Sequence, residues 1–399
     1  MSPTRPGPGI YLDHAATSPI RVEVWEAMAS AVGTADFNAA SQHAFGRAAR
    51  VRLEDAREEL ASALGATRHE IVLTGGGTQS DNLAILGFAR ARMPERPRLL
   101  VSRIEHKAVL EPAERAGSEG AEVVPLDVDR NGELELQALE RELEASAGRP
   151  TLVSVMWANN EIGVVQPLDR ITELAHRHGA SIHTDAVQAV GKLDVSVRNV
   201  PVDLLTMTAH KLGGPVGVGL LYVRRGAKLE PLAYGGGQEG SLWPGTQNPV
   251  GAVGLAAAVR LATGEPEAVR SRWSAMRDRL ELRLREGIPD LRVHAGAAET
   301  RMPNLLSVGI PGVDQAALLV AVDLAGVAVS GGSACSSGSA RPSHVLEAIG
   351  VHPEEGGYGV LRFSFGPQTT PEEVERAATV VLAVVERLRE SGAGAGGGS

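Results

Sequence analysis

Thr206-Met-Thr-Ala-His210-Lys211-Leu-Gly-Gly-Pro-Val-Gly-Val-Gly219 is the stretch on which the reading of this chain turns. Lys211 stands between an apolar run that ends in small polar residues (203–208) and a glycine-rich segment leading into Leu220-Leu-Tyr-Val223. A buried ammonium in such a setting is costly unless it is paired or covalently engaged. The glycines strip side-chain bulk from the backbone around it, as happens where something large must approach. Two readings follow. Lys211 carries an aldehyde cofactor as a Schiff base, or it is a surface lysine in a turn between two strands.

Working outward, strand and helix patterns alternate. Val51, Leu53, Ala56, Leu60 and Leu64 form an apolar stripe at helical spacing that stops at Gly65. Ile71-Val-Leu-Thr74 reads as a strand, and Gly75-Gly-Gly-Thr-Gln-Ser-Asp-Asn82 opens a helix over 83–92. Strands at 99–102, 122–125, 151–157 and 181–184 are separated by helices through 108–116, through 134–145 and from Leu168 to Gly179. Such alternation predicts an α/β fold with a mostly parallel central sheet covered on both faces.

Past about residue 254 the pattern changes. An arginine-rich helix (267–285) precedes a strand at 302–308, another helix, a Gly/Ser-rich loop, and a strand at 359–365 whose outward and inward residues alternate. The last helix has Thr370 as N-cap and Pro371 at N1, with a stripe of Val374, Ala377, Ala378, Val381, Val385 and Leu388. The predicted organisation is a large domain over 18–255 and a smaller α+β domain built from 1–17 and 256–390. Residues 391–399, almost all Gly, Ala and Ser, read as a disordered tail.

Composition narrows the class. A chain of 399 residues, 43% apolar and 22% charged, suits a soluble protein of two domains. A net charge of -9 without a Lys/Arg-rich run points away from direct binding to nucleic acid or an anionic membrane. Residues 1–9 contain no apolar leader, and Asp323 and Gly326 interrupt the apolar run at 316–329, so no membrane span is predicted. One cysteine excludes an intramolecular disulfide and a cysteine-based zinc site. A cytoplasmic protein is expected.

Several residues could carry chemistry. Gly75 to Gly77, with Thr78 and Ser80, lie between strand and helix, where backbone N–H groups and the helix dipole form a phosphate cup; a tight turn is the alternative. Asp185 falls at the carboxyl end of a core strand, where ligands of parallel sheets collect. It could protonate a pyridine nitrogen or cap a helix over 186–190. Asn159, Asn160 and Glu161 should line the same crevice, with Gln188 one turn further on. His106 and His210 are candidates for stacking and proton handling, or structural imidazoles. Cys335, in Ser330-Gly-Gly-Ser-Ala-Cys-Ser-Ser-Gly-Ser339, sits in a run that cannot pack, hence accessible as a nucleophile or incidental. Arg362 suits a clamp on a substrate carboxylate or an ion pair inside the small domain.

Together these residues resemble one family, the cysteine desulfurases of the NifS/IscS type within the pyridoxal-phosphate-dependent class V aminotransferase group. The matching motifs run from Tyr11-Leu-Asp-His-Ala-Ala-Thr17 through Thr74-Gly-Gly-Gly-Thr-Gln-Ser-Asp-Asn-Leu83, Glu105-His-Lys-Ala-Val109 and Asn159-Asn-Glu-Ile-Gly163. They continue with His183-Thr-Asp-Ala-Val-Gln188, Ala209-His-Lys211, Gly332-Ser-Ala-Cys335 and Leu361-Arg-Phe-Ser364. The resemblance implies a fold-type-I transferase that converts L-cysteine to L-alanine and passes sulfur to Cys335 as a persulfide. It implies that Lys211 binds the cofactor covalently, that Asp185 pairs with its ring nitrogen, Gln188 with its ring hydroxyl, and that His106 stacks on the ring. Gly77, Thr78, Thr208 and His210 then hold the phosphate, joined by Thr246 from the neighbouring subunit of a homodimer. Asn160 and Arg362 bind the substrate carboxylate. No resident metal is implied, although Cys335 is a candidate transient ligand of a nascent iron–sulfur cluster.

Sulfur acceptor or scaffold proteins are the implied partners, for iron–sulfur assembly or delivery to tRNA-modifying enzymes. Selenocysteine lyase, class V aminotransferase and a weakly active scaffold homologue are the alternatives. One departure stands out: Gly235-Gly-Gly-Gln-Glu-Gly-Ser-Leu-Trp-Pro-Gly-Thr246 has Gly240 and Trp243 where the family has arginines.

Overall fold

The structure, a computed structural model, describes residues 9–265, 267–332, 343–352 and 357–395. After β1 (Ile10–Tyr11) come α1 (Val22–Ala31) and α2 (Ala44–Leu64). α2 turns Ala49, Leu53, Ala56, Leu60 and Leu64 inward and ends on Gly65, whose φ of 74° closes the helix. Val51, expected in that stripe, is 59% exposed. It stands two residues from Leu53, which a helix puts on nearly the opposite face.

The alternating region forms β2 (Ile71–Thr74), α3 (Gly77–Arg90), β3 (Arg98–Ser102), α4 (Lys107–Ser118), β4 (Glu122–Leu126) and α5 (Leu136–Ala145). It continues with β5 (Thr151–Ser154), α6 (Leu168–Arg177), β6 (Ser181–Asp185), β7 (Leu204–Thr208) and β8 (Gly219–Val223). β2 to β8 make one sheet in the order β2-β8-β7-β6-β5-β3-β4. It is mostly parallel, as expected, but β8 runs antiparallel to both β7 and β2. The connection over 209–218 is too short for a crossover helix, so the chain turns back on itself. α3 and α4 cover one face, burying Leu83, Phe88 and Val109 against Leu99, Leu152 and Leu204. α2, α6 and α7 (Pro249–Thr263) cover the other. Ala252, Leu255, Val259 and Ala262 of α7 all belong to this core, so the helical layer runs past residue 255.

A second core gathers α8 (Glu267–Gly287), β9 (Arg292–Val293), β10 (Leu305–Pro311), α9 (Gln315–Leu324) and β11 (Val327–Ala328). α10 (His344–Ala348) returns to the first core; β12 (Tyr358–Ser364) and α11 (Pro371–Ala395) complete the second. β12-β10-β9 form an antiparallel sheet, and β1 pairs in parallel with β11, which ties the start of the chain to this body. β12 is buried along nearly its whole length rather than alternating. Val360 meets the large core while Leu361 and Phe363 meet the small one, so neither face of the strand is left to solvent. Thr370 caps α11 through a reciprocal box, in which Glu373 N donates to Thr370 Oγ1 and Thr370 N donates to Glu373 Oε2. α11 continues to Ala395, into the stretch expected to be disordered; 396–399 lie outside the described residues. No described helix is long and apolar enough to cross a membrane.

Candidate active site

β7 ends at Thr208, and a single turn of 3-10 helix, His210–Leu212, then presents Lys211. Lys211 does sit in a turn between two strands, but its amine faces inward: Nζ donates to Ala15 O at 2.7 Å and Ala16 O at 2.6 Å. The return strand passes so close to the glycine cup that a Cβ on Gly219 would lie 2.8 Å from Gly76 Cα. Lysine and cup are thereby fixed on one wall of a cavity of about 300 Å³ at the carboxyl ends of the parallel strands.

That cavity is lined by Gly77, Thr78, His106, Asn160, Glu161, Asp185, Gln188, Thr208, His210, Lys211 and Arg362, eleven of the residues singled out from the sequence. Thr246 is exposed and outside it, and Cys335 lies outside the described residues. Asn159 does not reach the cavity. Its amide holds the turn after β5 instead, donating to Ile104 O and accepting from Glu161 N and Ile162 N.

The cup is the start of α3. The helix begins at Gly77, not at residue 83, so its first backbone N–H groups face the cavity. Gly76 adopts φ 148°, and a Cβ on Gly77 would stand 3.1 Å from Val187 Cγ2. Asp185 starts no helix over 186–190. Its Oδ1 accepts from Val187 N at 2.8 Å, an Asx turn that leaves the other oxygen for the cavity. Burial, then the nearby Asp81, pushes Asp185 up to about 7. His106 is the N-cap of α4, its Nδ1 accepting from Ala108 N at 3.1 Å. Burial holds it below the usual imidazole range, so the neutral ring carries its proton on Nε2. His210, at 3.2 Å from Thr17 Oγ1, is lowered to about 4 by burial and by the charge of Lys211.

Arg362, 1% exposed, meets both of its expected roles in part. It lines the cavity while Nη2 pairs with Asp13 Oδ1 at 2.8 Å and Nη1 donates to Asn160 O and Gly332 O. Gln188 Nε2 donates to Ala15 O, and its Oε1 accepts from Lys192 Nζ at 3.4 Å. Lys192 escaped notice in the sequence. It is buried, and burial followed by repulsion from Lys211 lowers it to about 7. Asp81, Glu105 and His344 also line the cavity unforeseen. Asp81 was legible in retrospect, one helical turn after Gly77 on the cavity face; Glu105 directly precedes His106.

The departure at Gly240 has a local cause. Glu239 folds inward and meets Arg57 through two hydrogen bonds of 2.7 and 2.8 Å, while Leu73 N donates to its Oε2. The backbone reaches that pair through left-handed residues, Glu239 at φ 51° and Gly240 at φ 62°, where glycine is unstrained. Trp243 is half-buried against the α3 face of the core.

The donor set suits pyridoxal phosphate. An inward amine stands for the aldehyde, the glycine cradle that a side chain would fill stands for the phosphate, and a buried carboxyl stands for the ring nitrogen. Among the described residues no cluster of His, Cys, Asp and Glu could hold a metal ion.

A model of the aminotransferase class-V family matches residues 10–377. The cysteine desulfurase IscS of Dictyoglomus turgidum is 41% identical over 380 residues, 95% of each chain. Among solved structures, a NifS-like protein superposes with a TM-score of 0.87 at 32% identity, over 95% of this chain and 100% of that one. SspA in complex with cysteine superposes at 0.76 with 33% identity, over 90% and 99%.

Proposed function

The chain belongs to the class-V aminotransferase family, and from that premise we infer that it is a pyridoxal-phosphate-dependent cysteine desulfurase. Its reaction takes L-cysteine to L-alanine and leaves the sulfur on Cys335 as a persulfide. The observation that carries the reading is the convergence of the Lys211 amine, the glycine cup and Asp185 in one cavity, on a chain similar over 95% of its length to a cysteine desulfurase.

Gly77, Thr78, Thr208 and His210 would hold the phosphate, Asp185 the ring nitrogen, Gln188 the ring hydroxyl, and His106 the ring face. When bound, the cofactor supplies an electron sink for charge developing at the substrate Cα. Lys211, held at the cavity wall, is the amine placed to take the Cα proton. Arg362 and Asn160 orient the substrate carboxylate, with Asp13 as the counter-ion that Arg362 keeps otherwise. The Cys335 thiolate attacks the substrate sulfur; an S–S bond forms, the C–S bond breaks, and the electron pair stays with the carbon fragment that leaves as alanine. Neutral His106, on the cavity wall, is the imidazole placed to carry a proton in that release.

We further propose a cytoplasmic homodimer in which Thr246 completes the neighbouring phosphate site, with protein acceptors drawing sulfur toward iron–sulfur assembly or tRNA modification. Protein loaded with pyridoxal phosphate and given L-cysteine and a thiol reductant should release alanine and sulfide in equal amounts. A requirement for a keto acid would make it an aminotransferase and sink the reading. Cys335→Ala should abolish sulfide release, and Lys211→Ala should lose both turnover and the visible absorbance of the loaded protein.

A further inference from the structure

Beneath Asp185 the layer between the sheet and α3 ceases to be apolar. Leu152, Leu204 and Leu221 fill it along most of β5, β7 and β8. Toward the cavity ends of the strands, the residues facing the same way are Ser154, which the register sets beside His183, and Thr206, which it sets beside Asp185. α3 lowers Asp81 onto them. All four are buried, with Ser154, His183 and Thr206 at 0% exposure and Asp81 at 1%.

Their polar atoms link up. His183 Nδ1 is 2.8 Å from Ser154 Oγ, and Nε2 is 3.3 Å from Thr206 Oγ1 and 3.5 Å from Asp81 Oδ1. The Thr206 hydroxyl also meets the Asp81 carboxyl. Yet among the described residues Asp81 Oδ1 has no hydrogen-bond partner, and no lysine or arginine acts on this carboxyl. An ionised carboxylate in that position would be an uncompensated charge in a low-dielectric layer. Asp185 is differently placed: a backbone N–H already supports one oxygen, and the other faces the cavity.

We propose that Ser154, His183, Thr206 and Asp81 form a buried hydrogen-bonded row that holds one proton on Asp81 and so leaves Asp185 as the anion presented to the site. Asp81 is thus a positioning residue, acting through Asp185. Two carboxyls this close, without a cation between them, do not both ionise readily; a proton fixed on Asp81 removes the repulsion that would otherwise protonate Asp185. With the proton on Asp81, His183 Nε2 accepts and Nδ1–H donates to Ser154, so the ring stays neutral. The titratable groups that act on this row are Glu105 from the loop after β3 and Asp185 from β6, and Asp185 in turn faces His106 across the cavity. The inference rests on the proposed cofactor only for what Asp185 meets; the place of the proton is a property of the chain.

The test is carbon-13 NMR of aspartate-labelled protein, without and with pyridoxal phosphate. A carboxyl resonance that disappears in Asp81→Asn should keep its protonated position at neutral pH and move only as pH rises through about 8. On loading, the resonance lost in Asp185→Asn should shift to the carboxylate position while that of Asp81 stays. A carboxylate at Asp81 at neutral pH overturns the row. Infrared spectra of native protein with and without labelled aspartate need no variant: absence of a protonated-aspartate C=O band at neutral pH overturns it equally. Turnover of L-cysteine, measured separately, bears on the proposed activity and not on the proton, so either can fail alone.

Discussion

Burial penalises whichever form of a side chain is charged, so the imidazoles and carboxyls of this chain are pushed in opposite directions. Glu105, Asp81 and Asp185 are raised; His183, His210 and His294 are lowered to about 4. His294 lets this be tested away from the site. It lies in the small body, 4% exposed, with Nδ1 2.8 Å from Ser307 Oγ and Nε2 3.1 Å from Tyr358 OH. Its native state excludes a proton that the unfolded chain binds below the ordinary value of 6.5, so its contribution is complete above 6.5 and is lost as pH falls through about 4. Urea unfolding of wild type and His294→Gln should therefore differ most above 6.5, the gap narrowing by about 3 kcal/mol toward pH 4. A gap independent of pH would mean that burial leaves this imidazole unperturbed.

At the scale of elements, two local devices place the site. The first is the opening of α3. Gly76→Ala would force a side chain onto φ 148° and toward Gln79 Oε1 at 3.2 Å. Its expected outcome is pyridoxal-phosphate binding weakened by about tenfold or more, read by fluorescence titration, with a loss of about 1–3 kcal/mol in urea unfolding from the strained backbone. The second is the Arg57–Glu239 pair, whose side chains are 8% and 2% exposed. Glu239→Gln leaves the buried guanidinium with only the exposed Glu54, 3.3 Å from its Nε, as counter-charge and should cost about 3 kcal/mol in urea unfolding. A loss below about 1 kcal/mol would show that Leu73 N and the surrounding loop, rather than the ion pair, hold the segment. These elements also mark where sequence reasoning stops. Periodicity located β2, β3, β6 and α6 closely, because each has one apolar period and a clear stop such as Gly179. It misplaced the start of α3, since Gly77 to Asn82 are small and polar on a face that looks into a cavity. It supplied a helix after Asp185 because an aspartate before small residues is a cap signal, whereas here the carboxyl makes an Asx turn. The row from Ser154 to Asp81 was invisible, being assembled from three strands and a helix that only the sheet register brings together.

For the whole molecule, the question is what covers α1 and α2. Both pack on α7 through their inner faces, yet Val22, Trp25 and Val32 on and just after α1, and Phe45 and Val51 on α2, are each about 60% exposed. Phe37 and Phe45 pack on one another in a tilted pair, ring centroids 4.9 Å apart, instead of seeking the core. Large apolar side chains concentrated on one pair of helices are characteristic of an association surface. The homodimer proposed above accounts for Val51: its place in the apolar series of α2 then belongs to a second face, buried against another copy of the chain. Thr246 adds a chemical reason for pairing, since it is exposed and outside its own chain's cavity although the family resemblance gives it a phosphate. Light scattering should thus find a dimer for the full chain, and Trp25→Asp combined with Phe45→Ser should give a folded monomer. If Thr246 acts across the interface, that monomer should also bind pyridoxal phosphate about tenfold or more weakly, and Thr246→Ala should reproduce the loss without dissociating the dimer. A parent chain that is monomeric at micromolar concentration, or a monomer that keeps full cofactor affinity, would leave these apolar residues to another partner.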